Sequence, residues 1–307
     1  RHMKVLTLYT HTAMNRTYGE SFITYDPRYQ TLEIHESYTR QKDGNIVKTP
    51  DNAFVEVLPA AAANAPAFNA LREMVVVHTG LELGATVYLD YSITSKPGYL
   101  PEINVCRQLE QSSPVKEYEI IIAVPQGQRL EYALDNLKSK PLVTEKEGMK
   151  QVSWVLKNLP ALSREPQVSV IGGELPLLTA TTEQKPMAFL SAQWEREADA
   201  RLRTLAGKLT AGAKSDEEKG KALHSYVIDN LYYSPLPLSE TAYRIRPTAE
   251  VLRSAYATEA EKANLLAALL RAAGLKAEIG AVCVPSANTA SLGMGSIREL
   301  FVWTEAG

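Results

Sequence analysis

The residues of this chain that could act as nucleophiles are few and widely spaced. Its 307 residues include two cysteines, Cys106 and Cys283. Cys283 lies in the alternating segment EIGAVCV, where a small buried apolar side chain is the favoured role, and Cys106 lies near a turn. Neither has neighbours at metal-ligand spacing. A disulfide between them would cross a predicted domain boundary, so we do not expect one.

The other chemistry-bearing residue types form no recognisable motif. His224 lies on a predicted helix face, which favours a structural role, while His11 and His78 flank β segments without a cysteine, an aspartate pair or a second histidine at ligand spacing. The chain contains no G-x-S-x-G sequence, and Gly293-Met294-Gly295 is too short for a phosphate-binding loop. We therefore predict no cofactor, no metal and no serine nucleophile.

Composition limits the classes of protein that remain. Hydrophobic residues make up 45% and charged residues 22% of the chain, which excludes a disordered or fibrous protein. The formal net charge of -2 gives no basic surface for nucleic acid. No apolar run is long enough for a membrane span, and no signal peptide opens the sequence. Because Arg1-His2-Met3 resembles the remnant of an expression tag, the missing leader decides nothing about location.

Residues 4–185 have the pattern of a β domain. Val87, Leu89, Tyr91 and Ile93 alternate with more polar residues, which indicates one buried and one wetter face. Similar short runs, separated by turn residues such as Asp43-Gly44-Asn45, predict strands at 21–25, 31–38, 85–94, 117–124, 151–156 and 167–171. The alanine-rich stretch 59–71 interrupts them and predicts a loop with a short helix. The spacing favours a sandwich or an open barrel.

Residues 186–307 are predicted to form an α+β domain. Apolar spacing predicts helices over 189–211 and 219–231, and a strongly apolar helix that follows Thr258. Thr258 and Glu261 have the spacing of a capping box, and Gly274 supplies a left-handed stop. Two strands, 275–284 and 297–305, come after this helix.

The segment 246–274, RPTAEVLRSAYATEAEKANLLAALLRAAG, resembles the part of the bacterial transglutaminase-like (papain-like) superfamily that carries the nucleophilic cysteine. In that superfamily the cysteine opens the core helix, and a histidine and an aspartate on later strands complete the triad. The match places Tyr256 on the family tyrosine, Lys262 on its second lysine and Glu259 on the cysteine.

The resemblance continues into the strand at 297–305, where Glu299 or Leu300 takes the place of the histidine. The chain ends at Gly307, before the aspartate position, so the domain is expected to be incomplete at its C-terminal end. The alanines Ala255 and Ala257 replace the two glycines that flank the family tyrosine. Two of the three triad positions are thus replaced and the third is not in view, and we predict no catalytic residue.

The first region resembles the uncharacterised β domain that often precedes a transglutaminase-like domain in secreted bacterial proteins. The resemblance lies in segments 18–27, 78–84 and 154–160. It implies an immunoglobulin-like or related β sandwich over 4–185, ahead of the transglutaminase-like domain at 186–307. It also implies a periplasmic or extracellular location in the cell envelope.

Two classes of function fit these observations. We favour a non-catalytic binding or scaffolding protein, in which Tyr256, Glu259, Glu299 and Trp303 line the former cleft and contact a peptide, glycan or protein partner. The alternative is an enzyme, with cysteine chemistry from a residue outside the matched position or with acid-base chemistry from Glu259 and Glu299. Alkylation of Cys283, the cysteine nearest the core helix in sequence, distinguishes the first of these enzymes from a binding protein.

Overall fold

The computed structural model describes residues 1–100, 102–109, 111–162, 175–185 and 187–305. The chain forms two compact units. The first consists of Arg1–Pro101, Asn230–Ala242 and Ala249–Glu259, and the second of Glu102–Asp229, Tyr243–Thr248 and Ala260–Gly307. The boundary that the sequence suggests at residue 185 stays a prediction. Strands and helices are numbered below in chain order.

The first unit contains two antiparallel sheets. One has the order β1-β7-β3-β4 and consists of His2–Thr7, Thr86–Ser95, Gln30–Arg40 and Ile46–Lys48. The other has the order β2-β6-β5 and consists of Glu20–Tyr25, Arg72–Val77 and Phe54–Val57. Ile23 and Val76 from the second sheet and Leu89 from the first share one buried cluster, so the sheets pack face to face. The alternation at 85–94 thus places Val87 and Leu89 in the core, as predicted.

The connections of the first unit also follow their sequence signals. Gly44 has a φ of +92° in the hairpin between β3 and β4, where the Gln41 amide donates to the Asn45 carbonyl over 2.8 Å. The stretch 59–71 forms two single 3-10 turns, Ala60–Ala62 and Pro66–Phe68. A four-residue helix α1, Arg16–Gly19, precedes β2.

The second unit begins with two antiparallel three-stranded sheets. The first has the order β10-β13-β8 and consists of Glu131–Asp135, Leu177–Thr181 and Asn104–Gln108. The second has the order β11-β12-β9 and consists of Leu142–Lys146, Met149–Leu159 and Val115–Pro125. Ile122, Trp154 and Leu178 belong to one buried cluster that joins the two sheets. The predicted strands at 117–124 and 151–156 fall on β9 and β12, and the one predicted at 167–171 lies outside the described residues. A β-rich region followed by a smaller α+β part confirms the predicted fold class.

The later elements are short helices and strands. The helices are α2 to α6, at Ala188–Ser191, Ala200–Leu209, Asp216–Asp229, Thr248–Ser254 and Glu259–Ala272. The strands are β14 to β17, at Tyr232–Tyr233, Tyr256–Ala257, Ala277–Cys283 and Ile297–Thr304. None of the described helices is long and apolar enough to cross a membrane.

The single helix predicted over 189–211 is wrong, because the backbone leaves helical geometry between α2 and α3. The Gln193 side chain donates to the carbonyls of Phe189 and Tyr243 and accepts from the Ile245 amide. Asp199 then starts α3 as an N-cap, accepting from the Leu202 amide over 2.7 Å. Tertiary hydrogen bonds at 193–195 therefore override the helical spacing of the apolar residues.

Candidate functional site

Helix α6 is the buried helix around which the candidate site is arranged. It begins at Glu259, directly after the buried Thr258, and ends at Ala272, ahead of Gly274 with a φ of +82°. Both ends lie where the sequence predicts them. Leu265, Leu269 and four of the five alanines of the helix are buried, which fixes its orientation in the core.

The carboxylate of Glu261 forms a buried ion pair with Arg246 in the second unit. Its Oε1 accepts from the Arg246 amide over 3.0 Å and from Nε over 2.7 Å, and its Oε2 accepts from Nη2 over 2.9 Å. The side chains are 0% and 11% exposed respectively. Two-pronged pairing of this kind compensates charges that are costly to remove from water.

Further polar contacts connect α6 to its surroundings within the second unit. Asn264 Oδ1 accepts from the Glu195 amide over 2.7 Å, and Arg271 donates to the carbonyls of Glu195 and Ala277 over 2.8 and 2.9 Å. The Glu195 carboxylate accepts from the Thr248 hydroxyl over 3.0 Å. The start and the end of the helix are thus anchored by specific hydrogen bonds as well as by apolar packing.

Tyr256 and Glu259 lie just before and at the first turn of α6, in the first unit. Tyr256 is buried with Phe68, Leu71 and Leu236, and its hydroxyl accepts from the Ala67 amide over 2.7 Å. Tyr256 is therefore a core residue whose polar end is occupied, while Glu259 is exposed. A carboxylate in the first turn of a helix is favoured by the partial positive charge of the free amides.

Glu299 and Trp303 lie on β17, in the second unit, and point to the same side of the two-stranded sheet that β17 forms with β16. Between them stands Phe301, which the sequence analysis missed although its position in the alternation of the strand would have revealed it. Leu300 alternates to the other, less exposed side. Of the four predicted residues, the structure thus places Glu299 with Trp303 and Tyr256 near Glu259. That the two pairs converge on one surface stays a prediction.

Both cysteines lie in the second unit as free thiols. Burial raises the pKa of the Cys106 thiol, although the Arg298 Nη2 group lies 3.3 Å from its sulfur and acts in the opposite direction. Cys283 ends β16, opposite Ile297, and lies on no helix start. Neither position provides the free amides that stabilise a thiolate at the beginning of a helix. Within the described residues, no group of three or more His, Cys, Asp or Glu side chains could hold a metal ion.

Comparison with known proteins agrees with this architecture. A sequence model of a domain of unknown function with solved structure, DUF3857, matches residues 1–163, and that of the transglutaminase-like superfamily matches residues 203–306. A search of curated proteins gave no match.

A solved structure has the same fold over nearly the whole chain. The crystal structure described as "a putative protease from Parabacteroides distasonis ATCC 8503" is 47% identical, with a TM-score of 0.93 over 98% of this chain. The match covers 60% of that protein, so this chain spans about three fifths of its length. The chain belongs to the family in which the DUF3857 domain is followed by a transglutaminase-like core.

Proposed function

We propose that this chain is a non-catalytic member of the transglutaminase-like superfamily that binds a peptide, glycan or protein partner. The observation that carries the proposal is Glu259, an exposed carboxylate at the first position of α6. The superfamily resemblance assigns the nucleophilic cysteine to this position.

Acyl transfer from an amide needs a nucleophile that forms a covalent intermediate, and a thiolate at a helix start is well suited to this. The positive end of the helix dipole stabilises the carboxylate of Glu259 as well. A carboxylate, however, is a far weaker nucleophile towards an amide than a thiolate. The substitution therefore preserves the fold and removes the chemistry.

The two cysteines elsewhere in the chain do not replace the missing group. Cys106 has a raised thiol pKa, so at neutral pH it is protonated to a greater extent than an ordinary cysteine. Cys283 is half-buried on a strand, and its cross-strand partner is the apolar Ile297. A binding function requires neither thiol group, because recognition depends on a complementary surface and not on a nucleophile.

A second candidate function is an amide hydrolase, favoured by the 47% identity to the protein described as "a putative protease". In such an enzyme either Cys283 would act as a displaced nucleophile, or Glu259 and Glu299 would act as an acid-base pair. The carboxylate pair would require the two groups to lie within roughly 5 to 10 Å of each other, the range seen in two-carboxylate hydrolases. We favour the binding function because neither route has a preorganised nucleophile.

The proposed site of action is the bacterial cell envelope, in the periplasm or outside the cell, as the resemblance to secreted proteins suggests. Cell-wall peptides and glycans are therefore the first partners to test. Binding of a panel of muropeptides and glycan chains is measured for the parent chain and for Trp303→Ala. We expect a ligand whose affinity falls on this substitution. Equal binding of every panel member to both proteins would remove Trp303 and its surroundings from the proposal.

Alkylation provides the complementary control. Treatment of the parent with iodoacetamide, with modification of Cys283 verified by mass spectrometry, should leave ligand binding unchanged. Loss of a measurable hydrolytic activity on alkylation would instead favour the cysteine enzyme.

A further inference from the structure

The outer face of the β16–β17 sheet in the second unit is apolar and solvent-exposed. The register pairs Val282 with Glu299, Gly280 with Phe301 and Glu278 with Trp303, and these six residues are called here the β16–β17 face. Val282, Phe301 and Trp303 are 46%, 47% and 51% exposed, and they are neighbours across and along the strands. Contiguous exposed apolar side chains of this size mark interaction sites far more often than isolated ones do.

The β16–β17 face is flat at Gly280, because this residue has no side chain. A Cβ atom added to Gly280 would lie 2.3 Å from Cζ of Phe301 and less than 3 Å from two further ring atoms. The Phe301 ring therefore lies directly over the Gly280 backbone, which leaves its other side open. A side chain at position 280 would tilt the ring away from the sheet.

The charge on the same face has one sign. The side chain of Glu299 is exposed, and its carboxylate has no hydrogen-bond or ion-pair partner within the part of the chain that the structure describes. Among the described residues, the Glu278 carboxylate has only a long contact with the Arg271 guanidinium group, at 3.8 Å. The six residues include two carboxylates and no cation, so the β16–β17 face carries negative charge beside its apolar groups.

We propose that the β16–β17 face binds a peptide segment in which a lysine or arginine is flanked by apolar side chains. The cation pairs with Glu299, its aliphatic part and charge pack on the faces of Phe301 and Trp303, and the apolar neighbours of the cation cover Val282. This inference rests on the proposed binding function and names its ligand class.

The experiment uses two blocked octapeptides that differ only in charge. One has lysines at two central positions between valines and leucines, and the other has glutamates there. Isothermal titration at low salt should show binding of the lysine peptide, about tenfold weaker binding to Glu299→Gln and to Trp303→Ala, and weaker binding at high salt. The control variants are Glu119→Gln, an exposed strand carboxylate elsewhere in the second unit, and Tyr9→Ala, an exposed aromatic residue of the first unit. Both controls should bind as the parent does.

Several results would overturn the inference. One is that the parent binds the lysine and glutamate peptides with equal affinity, and another is that Glu299→Gln binds the lysine peptide as tightly as the parent does. A third is that the parent self-associates through this face, in a manner that Trp303→Ala abolishes. Preference for an uncharged oligosaccharide over the lysine peptide would also overturn it. Glu299→Gln removes only an exposed charge, so its result does not depend on a change in folding. These outcomes leave the proposed non-catalytic function standing, since that function fails only on thiol-dependent or carboxylate-dependent turnover.

Discussion

The guanidinium group of Arg246 is held by the carboxylate of Glu261, with Nε on Oε1 at 2.7 Å and Nη2 on Oε2 at 2.9 Å, both side chains being almost fully buried. This pair joins the segment before α5 to the first turn of α6, two residues after Glu259. It explains how the first turn of α6 keeps its position.

Removal of one partner of the Arg246–Glu261 pair should strongly lower the stability of the fold. We expect Glu261→Ala to lower the free energy of unfolding by about 3 kcal/mol or more, because a buried guanidinium is left without its counter-charge. The matched control is Glu217→Ala on α4, which breaks an exposed pair with Lys221 and should change the free energy of unfolding far less. Chemical denaturation of the two variants measures both values. Similar small losses in the two variants would contradict a structural role for the buried pair.

Ala255 adopts a backbone conformation that favours glycine. Its φ is +57°, and the family resemblance places a glycine at this position. We expect Ala255→Gly to stabilise the chain by about 0.5 to 1 kcal/mol, because relief of the left-handed strain exceeds the added entropy of the unfolded chain. Ala257→Gly, at the buried end of β15, should instead destabilise it by about 1 kcal/mol or more. Shifts of the same sign in thermal melts would refute this account of Ala255.

His78 should make the chain sensitive to acid. Burial, together with the nearby charge of Lys4, lowers its pKa from 6.5 to about 4, and its Nε2 lies 2.9 Å from the Ser21 hydroxyl. A histidine that binds its proton more weakly in the folded state contributes fully to stability above the unfolded pKa. That contribution is lost as the pH falls from about 6.5 to 4.

The test compares pH-dependent unfolding of the parent with His78→Gln. The variant should lack this part of the acid-induced loss of stability, whereas His11→Gln, at an exposed histidine, should retain it. Parallel pH profiles for all three proteins would show that His78 does not titrate in this way.

Thr258 precedes α6 and has the side-chain type of an N-cap. We expect Thr258→Ala to cost about 1 kcal/mol, since an amide of the first turn then loses a hydroxyl acceptor. Thr258→Ser, which keeps the hydroxyl, should restore most of this loss. If Thr258→Ser were as unstable as Thr258→Ala in denaturant melts, the loss would come from packing of the buried methyl group instead.

The sequence was informative where a local pattern determines the structure. Val87 and Leu89 alternate with polar residues, and this places β7 correctly because one face of the strand is buried. Gly274 marks the end of α6 because the backbone there needs a positive φ.

Local sequence patterns gave wrong predictions where residues distant in the sequence determine the local structure. Helical spacing around Trp194 predicted a continuous helix, but Glu195 is held by Asn264, some seventy residues later in the chain. The Arg246–Glu261 pair could not be predicted for the same reason, since the spacing of Thr258 and Glu261 suggested only a capping box. Phe301 was missed because candidate residues on β17 were chosen by the expected position of a histidine and not by which face of the strand they share.

The most direct test of the account is whether the chain turns over an amide. Purified parent and the Cys106→Ser/Cys283→Ser double variant are incubated with a peptide amide substrate, with and without iodoacetamide, and released amine and covalent adducts are measured by mass spectrometry. We predict no acyl adduct from the substrate and no amine above the level of the double variant, because Glu259 opens α6 and both cysteines lie on strands. Release of amine that iodoacetamide abolishes, or an acyl adduct on Cys283, would contradict the account.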